Sequence, residues 1–128
     1  PLASGLLANR YTEDTRFAAD DHRNFNRDGS AFDVGETFSG VDYATGLQAA
    51  REFADLAAAE APGASSAQVA LAWLAAQDGI STVIPGARST GQAQANAAAG
   101  SLRISGEFSA SVRRLYDQKL RAQIHPRW

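Results

Sequence analysis

The sequence predicts an α/β protein that is mostly helical and contains two short parallel strands. Apolar and small residues recur at three- and four-residue spacing over long stretches, as they do on one face of an α-helix. A β-branched run, in contrast, occupies Thr82–Ile84 and stops at Pro85. Strand-like and helix-like segments alternate along the chain, and this alternation is typical of parallel strands that are joined by helices.

The first two segments in chain order are a short strand and a long loop. Residues 1–7 read P-L-A-S-G-L-L and are expected to be the end of a strand that enters a glycine-containing turn. Residues 8–43 mix glycines and scattered aromatic residues with many Asp, Asn and Arg, so a long loop with one short helix is expected. Asn24-x-Asn26-x-Asp28 resembles the start of an EF-hand calcium loop, but the twelfth position is Gly35, which favours a polar turn over a calcium site.

Four helices and the second strand are predicted after this loop. Residues 44–60 are strong helix formers with apolar residues on one face. Ser65–Gln68 is typical of a capping box, in which Ser65 begins a helix that continues to Gln77 and places Trp73 in the core. Ile80–Ile84 is the best strand candidate, and further helices are expected at Thr90–Ala99 and Phe108–Gln123.

Composition limits the class of protein. The chain has 128 residues, of which 45% are hydrophobic and 20% charged, and this favours one globular domain. A net charge of −2 offers no basic field for nucleic acid or an anionic membrane. The absence of cysteine excludes disulfides and thiol nucleophiles, and the two isolated histidines predict no metal site. Without an apolar run of about 18 residues or a leader, a soluble, cytoplasmic protein is expected.

The stretch from Ser81 to Asn96 holds the clearest functional pattern. A strand and a Pro-Gly turn lead to Arg88, to small hydroxyl residues and then to a new helix. The free N–H groups and the dipole of a helix N-terminus favour an anion such as phosphate. Gln92 and Asn96 lie four residues apart and therefore on one face of that helix. The alternative is a solvated arginine beside an exposed polar helix face.

Three segments carry a resemblance to a known family. They are Pro1-Leu2-x-x-Gly5-x-Leu7, the helix that contains A-L-A-W-L at residues 70–74, and the pattern I-P-G-x-R-x-x-x-Q-x-x-x-N that ends at Asn96. In this order they resemble the seventh strand, the helix that follows it, and the eighth strand with its helix start in the C-terminal portion of an aldo-keto reductase. The resemblance implies the C-terminal part of a (β/α)8 TIM barrel, a fold that takes about 250 residues.

The resemblance also implies an activity, which is the reversible, NADPH-dependent reduction of carbonyl compounds. The family's catalytic Tyr, Lys, Asp and His lie on earlier strands, at positions that this sequence does not contain, so no catalytic role passes to any residue here. Because the chain begins at Pro1 and contains no methionine, it is expected to be a portion of a longer protein. Its expected partners are a small carbonyl substrate and either the remainder of the barrel or a second copy.

Cofactor contacts are the functional residues that the resemblance does carry over: Leu2, Ser4, Gly5, Arg88, Ser89, Gln92 and Asn96. The first three would approach the pyrophosphate, largely through backbone N–H groups. Arg88 and Ser89 would bind the 2′-phosphate of NADPH, because a guanidinium fork suits phosphate oxygens. The last two would reach the adenosine end. Ala95 departs from the family, many members of which carry an acidic residue there.

A second hypothesis comes from another class of protein. The chain would then be a non-catalytic helical interaction or oligomerisation module, whose strand edges and apolar helix faces pair with another chain. The missing catalytic positions favour this alternative for the isolated chain, whereas the cofactor residues favour an enzymatic origin.

Overall fold

The computed structural model describes residues 2–127; Pro1, with which the first predicted strand begins, and Trp128 lie outside this range. The described chain is helical, with short 3-10 turns at Ala3–Ala8, Val34–Glu36, Phe38–Gly40 and His125–Arg127 and a π turn at Tyr116–Leu120. Its α-helices are α1 (His22–Phe25), α2 (Tyr43–Glu60), α3 (Ser66–Ala75), α4 (Thr90–Ala99), α5 (Gly106–Leu115) and α6 (Arg121–Ile124).

Each of the four long helices begins at a side chain that accepts a backbone hydrogen bond. Asp42 accepts from the N–H of Thr45 at α2, and Ser89 and Ser105 act in the same way at α4 and α5. The capping box predicted at the start of α3 is confirmed, because both of its reciprocal bonds are present. Such caps satisfy N–H groups that have no partner inside the helix, and each typically stabilises by about 1 kcal/mol.

The main core lies where α2 packs between α3 and α5. Phe53 of α2 meets Phe108 of α5 edge to face, with ring centroids 5.8 Å apart. Val69 of α3 has no exposed surface. The buried residues of this core are Ala49, Phe53, Ala57, Val69, Ala70, Phe108 and Leu115. Three alanines among them let the helices approach closely, while the aromatic pair fills the remaining space.

The two predicted strands are not formed in residues 2–127. The first segment folds into the 3-10 turn Ala3–Ala8, and residues 80–87 have no regular structure. Ala3, Ser4 and Gly5 all have positive φ angles, of 48°, 53° and 95°, which an extended strand does not contain. A strand is stable only when a neighbouring strand satisfies its backbone groups, and these two segments do not pair with each other. Ile84 consequently remains 83% exposed.

The loop over residues 8–43 is ordered by a second, smaller core and by a buried amide. Phe38 packs there with Leu6 and α2. Asn26 is fully buried, and its Oδ1 accepts hydrogen bonds from two backbone N–H groups while its Nδ2 donates to Thr37. These bonds occupy the oxygen that a calcium loop would use, so Asn26 is a structural residue of a polar turn.

The C-terminal helix differs from the expectation of one helix over Phe108–Gln123. α5 ends at Leu115, a π turn follows, and α6 begins at Arg121. Lys119 within the π turn reaches α2 and forms an ion pair with Glu52 at 2.7 Å. A wider turn of this kind rotates the side chains that follow it, so periodicity in the sequence does not predict it.

We expect Phe53→Ala to lower the free energy of unfolding by about 3–5 kcal/mol, because truncating a buried aromatic side chain leaves a cavity. Chemical denaturation followed by circular dichroism measures this change. Ile84→Ala is the control, since its side chain is 83% exposed and its truncation should change stability by at most about 0.5 kcal/mol. Equal losses in the two variants would contradict the position of the core.

Candidate functional site

The N-terminus of α4 is held by two hydrogen bonds between side chains and the backbone. The Oγ of Ser89 accepts from the N–H of Gln92 at 3.2 Å, and the Oε1 of Gln92 accepts from the N–H of Arg88 at 2.6 Å. Both side chains are exposed. The hydroxyl proton of Ser89 and the amide protons of Gln92 stay free to donate, so this turn has a fixed backbone and spare donors.

Arg88 is exposed and forms no ion pair within the described residues, where Arg23, Lys119 and Arg121 supply the paired cations. Asn96, one helical turn beyond Gln92, donates from Nδ2 to the carbonyl of Gly86 at 3.1 Å. This bond ties α4 to the segment that leads into Arg88. The structure therefore brings the four sequence-predicted residues of this region together around one turn, with an unpaired cation at its tip.

The other three predicted residues form a separate turn at the start of the chain. The carbonyl of Leu2 accepts from the N–H groups of Gly5 at 3.0 Å and Leu7 at 3.3 Å. The Oγ of Ser4 accepts from the N–H of Phe38 at 3.0 Å. Only glycine fits at position 5, because its φ is 95° and a Cβ there would lie 2.5 Å from the hydroxyl of Tyr11.

α3 connects the two groups of predicted residues. Ser66, at its first turn, donates from Oγ to the carbonyl of Leu7 at 2.8 Å. Gln68 donates from Nε2 to the carbonyl of Ala95 at 3.1 Å. No direct hydrogen bond joins the two groups in the part of the chain that the structure describes. α3 therefore links the two groups through one hydrogen bond to each.

Sequence reasoning missed a polar cluster that lies against the turn Ala3–Ala8, which we call the first turn. Arg23 donates to the hydroxyl of Tyr11 at 2.6 Å and forms an ion pair with Asp21, and its guanidinium lies 4.6 Å from the ring centre of Phe17. The hydrogen bonds from Arg23 hold the pKa of the Asp21 carboxyl well below its usual range. Asp21 is the N-cap of α1, which a cap residue at this place can indicate, but no periodic pattern links Arg23 to Tyr11, so the sequence contained no signal for their contact.

An open apolar groove of about 550 Å³ lies between α2, α3, the C-terminal helices and the first turn. Its walls include Phe53, Trp73 and Leu115, and none of the seven predicted cofactor residues lines it. At its rim the hydroxyl of Tyr116 is 3.0 Å from Nδ1 of His125. The groove has the size of a ligand pocket and is lined mainly by apolar side chains, and it is a separate surface from the candidate cofactor site.

Two further features bear on the class of site. Among residues 2–127, no three His, Asp or Glu side chains are arranged to hold a metal ion. Over the same residues, every helix is too short or too polar to cross a lipid bilayer.

The model of the Aldo/keto reductase family matches residues 1–117 of the chain, and the chain therefore belongs to this family. Neither the curated proteins nor the solved structures that were compared with the chain gave a match. Family membership confirms the resemblance seen in the sequence. It implies a TIM-barrel parent and supports an oxidoreductase, and aldo-keto reductases generally use NAD(P)H.

We expect the stability contributed by Asp21 to disappear in acid. Because its pKa is lower in the folded chain than the ordinary value of 3.8, the unfolded chain binds the proton first as the pH falls. Wild type should thus exceed Asp21→Asn in free energy of unfolding above roughly pH 5, and the difference should shrink as the pH falls through 4. Denaturation at several pH values measures this difference in the free energy of unfolding.

Asp20→Asn is the control, because Asp20 has no hydrogen-bond or ion-pair partner within residues 2–127. A difference between wild type and Asp21→Asn that grows in acid would contradict the assignment.

Proposed function

We propose that this chain is the NADPH-binding C-terminal part of an aldo-keto reductase, in which it holds the adenosine and pyrophosphate end of the cofactor. The observation that carries the proposal is Arg88, an exposed cation at the capped N-terminus of α4 that has no carboxylate partner among residues 2–127. The dipole of α4 and the hydrogen-bond donors at its N-terminus favour an anion at the same place. A phosphate would thus find charge and hydrogen-bond donors together.

Each residue of this turn has a role in the proposed complex. Arg88 pairs with the 2′-phosphate, which NADPH has and NADH lacks. Ser89 keeps its cap and donates its hydroxyl proton to the same phosphate. Gln92 donates from Nε2, since its Oε1 already accepts from the backbone of Arg88. Asn96 holds the preceding segment through Gly86 and presents its Oδ1 to the adenine edge.

The first turn has the complementary role at the pyrophosphate. Leu2 anchors the turn, because its side chain packs on the main core while its carbonyl accepts two backbone bonds. Gly5 allows the backbone to come close to a phosphate. When bound, the nicotinamide supplies a hydride to the carbonyl carbon of an aldehyde or ketone. This chain binds and orients the cofactor, and the catalytic residues are proposed to come from the remainder of the barrel.

The apolar groove and the exposed Ile80–Ile84 segment support the proposed partners. In a barrel, the helices of this chain would cover strands, and its strand-like segments would pair with neighbours. The same surfaces favour the second candidate, a non-catalytic module that associates with itself or another chain. We propose a cytoplasmic location, and a net charge of −2 argues against nucleic acid or anionic membrane as partners.

Arg88→Ala should weaken NADPH binding about ten-fold or more and leave NADH binding nearly unchanged, because only NADPH has the 2′-phosphate. A charge-assisted hydrogen bond of about 1.5–3 kcal/mol corresponds to this loss. Calorimetric titration with both cofactors gives the affinities. Arg103→Ala removes another exposed arginine and should change neither affinity. The same loss with both cofactors, or none with either, would argue against the assigned phosphate contact.

The isolated 128-residue chain should not oxidise NADPH in the presence of an aldehyde, because the catalytic residues are proposed to lie on earlier strands of the barrel. Loss of NADPH absorbance is the measurement, and a complete aldo-keto reductase is the positive control. Turnover above the uncatalysed rate would show that the chain has a reaction centre of its own and would refute this part of the proposal.

A further inference from the structure

The side chain of Tyr11, which belongs to the long loop, packs against the first turn. Its hydroxyl donates to the carbonyl of Ser4 at 3.2 Å. The same oxygen lies 2.5 Å from the point where a Cβ on Gly5 would stand. One hydroxyl therefore touches two of the three residues that are proposed to meet the pyrophosphate.

Arg23 fixes the direction of this hydroxyl. It donates to the Tyr11 oxygen at 2.6 Å, and a guanidinium cannot accept a hydrogen bond. The single proton of the hydroxyl is thereby assigned to the Ser4 carbonyl. Asp21 holds the guanidinium from another side, and the ring of Phe17 lies 4.6 Å beneath it. The cluster is locked by charge, hydrogen bonds and stacking together.

The turn needs such external support. Ala3 and Ser4 have φ angles of 48° and 53°, a region that costs a non-glycine residue about 1–2 kcal/mol. Ser4 is held from two sides, by the N–H of Phe38 at its Oγ and by Tyr11 at its carbonyl. Asp21 neutralises the charge of Arg23, so the arginine serves this turn through the direction of its hydrogen bond more than as a cation for phosphate.

We infer that Tyr11, oriented by Arg23, is a positioning residue that holds the Ser4–Gly5 turn in the shape required by the cofactor's pyrophosphate. This inference rests on the proposed function and adds the long loop to it. The loop then acts on cofactor affinity through one hydroxyl group, at the pyrophosphate end and not at the 2′-phosphate end.

Tyr11→Phe tests the inference, because it removes the hydroxyl but keeps the ring that packs edge to face on Phe17 at 5.2 Å. The expected result is a five- to ten-fold weaker binding of NADPH, about the effect of one lost hydrogen bond. Binding of adenosine 2′-monophosphate, which has no pyrophosphate, should stay unchanged. Calorimetric titration of the full chain with both ligands measures these affinities.

The chain offers a matched control in Tyr43, which belongs to the same aromatic cluster. Its hydroxyl donates to the carbonyl of Thr12 at 3.0 Å, and Arg27 lies 4.6 Å from its ring centre. Tyr43→Phe therefore removes a similar bond away from the first turn and should leave both affinities unchanged. Arg23→Lys should weaken NADPH binding as Tyr11→Phe does, whereas Arg27→Lys should not.

The outcomes separate the inference from the function on which it rests. Equal NADPH affinity in wild type and Tyr11→Phe, or an equal loss in Tyr43→Phe, overturns the inference. A parallel loss of adenosine 2′-monophosphate binding indicates general disturbance and also overturns it. If wild type binds neither ligand, the proposed function fails. In that case amide hydrogen exchange at Gly5 and Leu7 tests the positioning role of Tyr11 independently of ligand binding. Faster exchange in Tyr11→Phe than in Tyr43→Phe supports the positioning role, and equal exchange refutes it.

Discussion

The close packing of α2 is the constraint on which the rest of the structure depends. The small side chains of Ala49 and Ala57 allow neighbouring helices to approach α2 closely, and Phe53 fills the space towards Phe108. At its N-terminal end, Gly46 makes room for Leu6, because a Cβ there would lie 2.9 Å from the leucine side chain. This single helix thus sets the position of α3 and α5 by small residues and of the first turn by a glycine.

The polar groups near the proposed cofactor are held more weakly than this core. A fully buried apolar side chain contributes about 1.5–3 kcal/mol, whereas a side-chain hydrogen bond to the backbone contributes about 1 kcal/mol net. Ser66 joins α3 to the turn Ala3–Ala8 and Gln68 joins it to α4, by one such bond each. The core therefore supplies most of the stability, whereas the shape of each turn depends on a few individual hydrogen bonds.

Local signals in the sequence were sufficient for the starts of α2, α3 and α4 and for the turn at Arg88, but not for the π turn that divides the C-terminal helix. Asp42, Ser65 and Ser89 act as caps within three residues of their partners, so their chemistry can be read from spacing alone. Strand pairing is non-local, and residues 80–84 carry β propensity without a partner strand in the described chain. The bond from Arg23 to Tyr11 spans an irregular loop, where no period links the two positions.

The exposed segment at residues 80–84, which has no partner strand in the described chain, also affects the tendency of the chain to associate with other polypeptides at high protein concentration. It is short and apolar and presents backbone groups to solvent, a combination that invites extension by a foreign strand. Pro85 follows directly and has no N–H, so the row of backbone donors that a foreign strand could use ends at Ile84. A proline in this position interrupts the regular backbone pairing that growth of a β-aggregate would require.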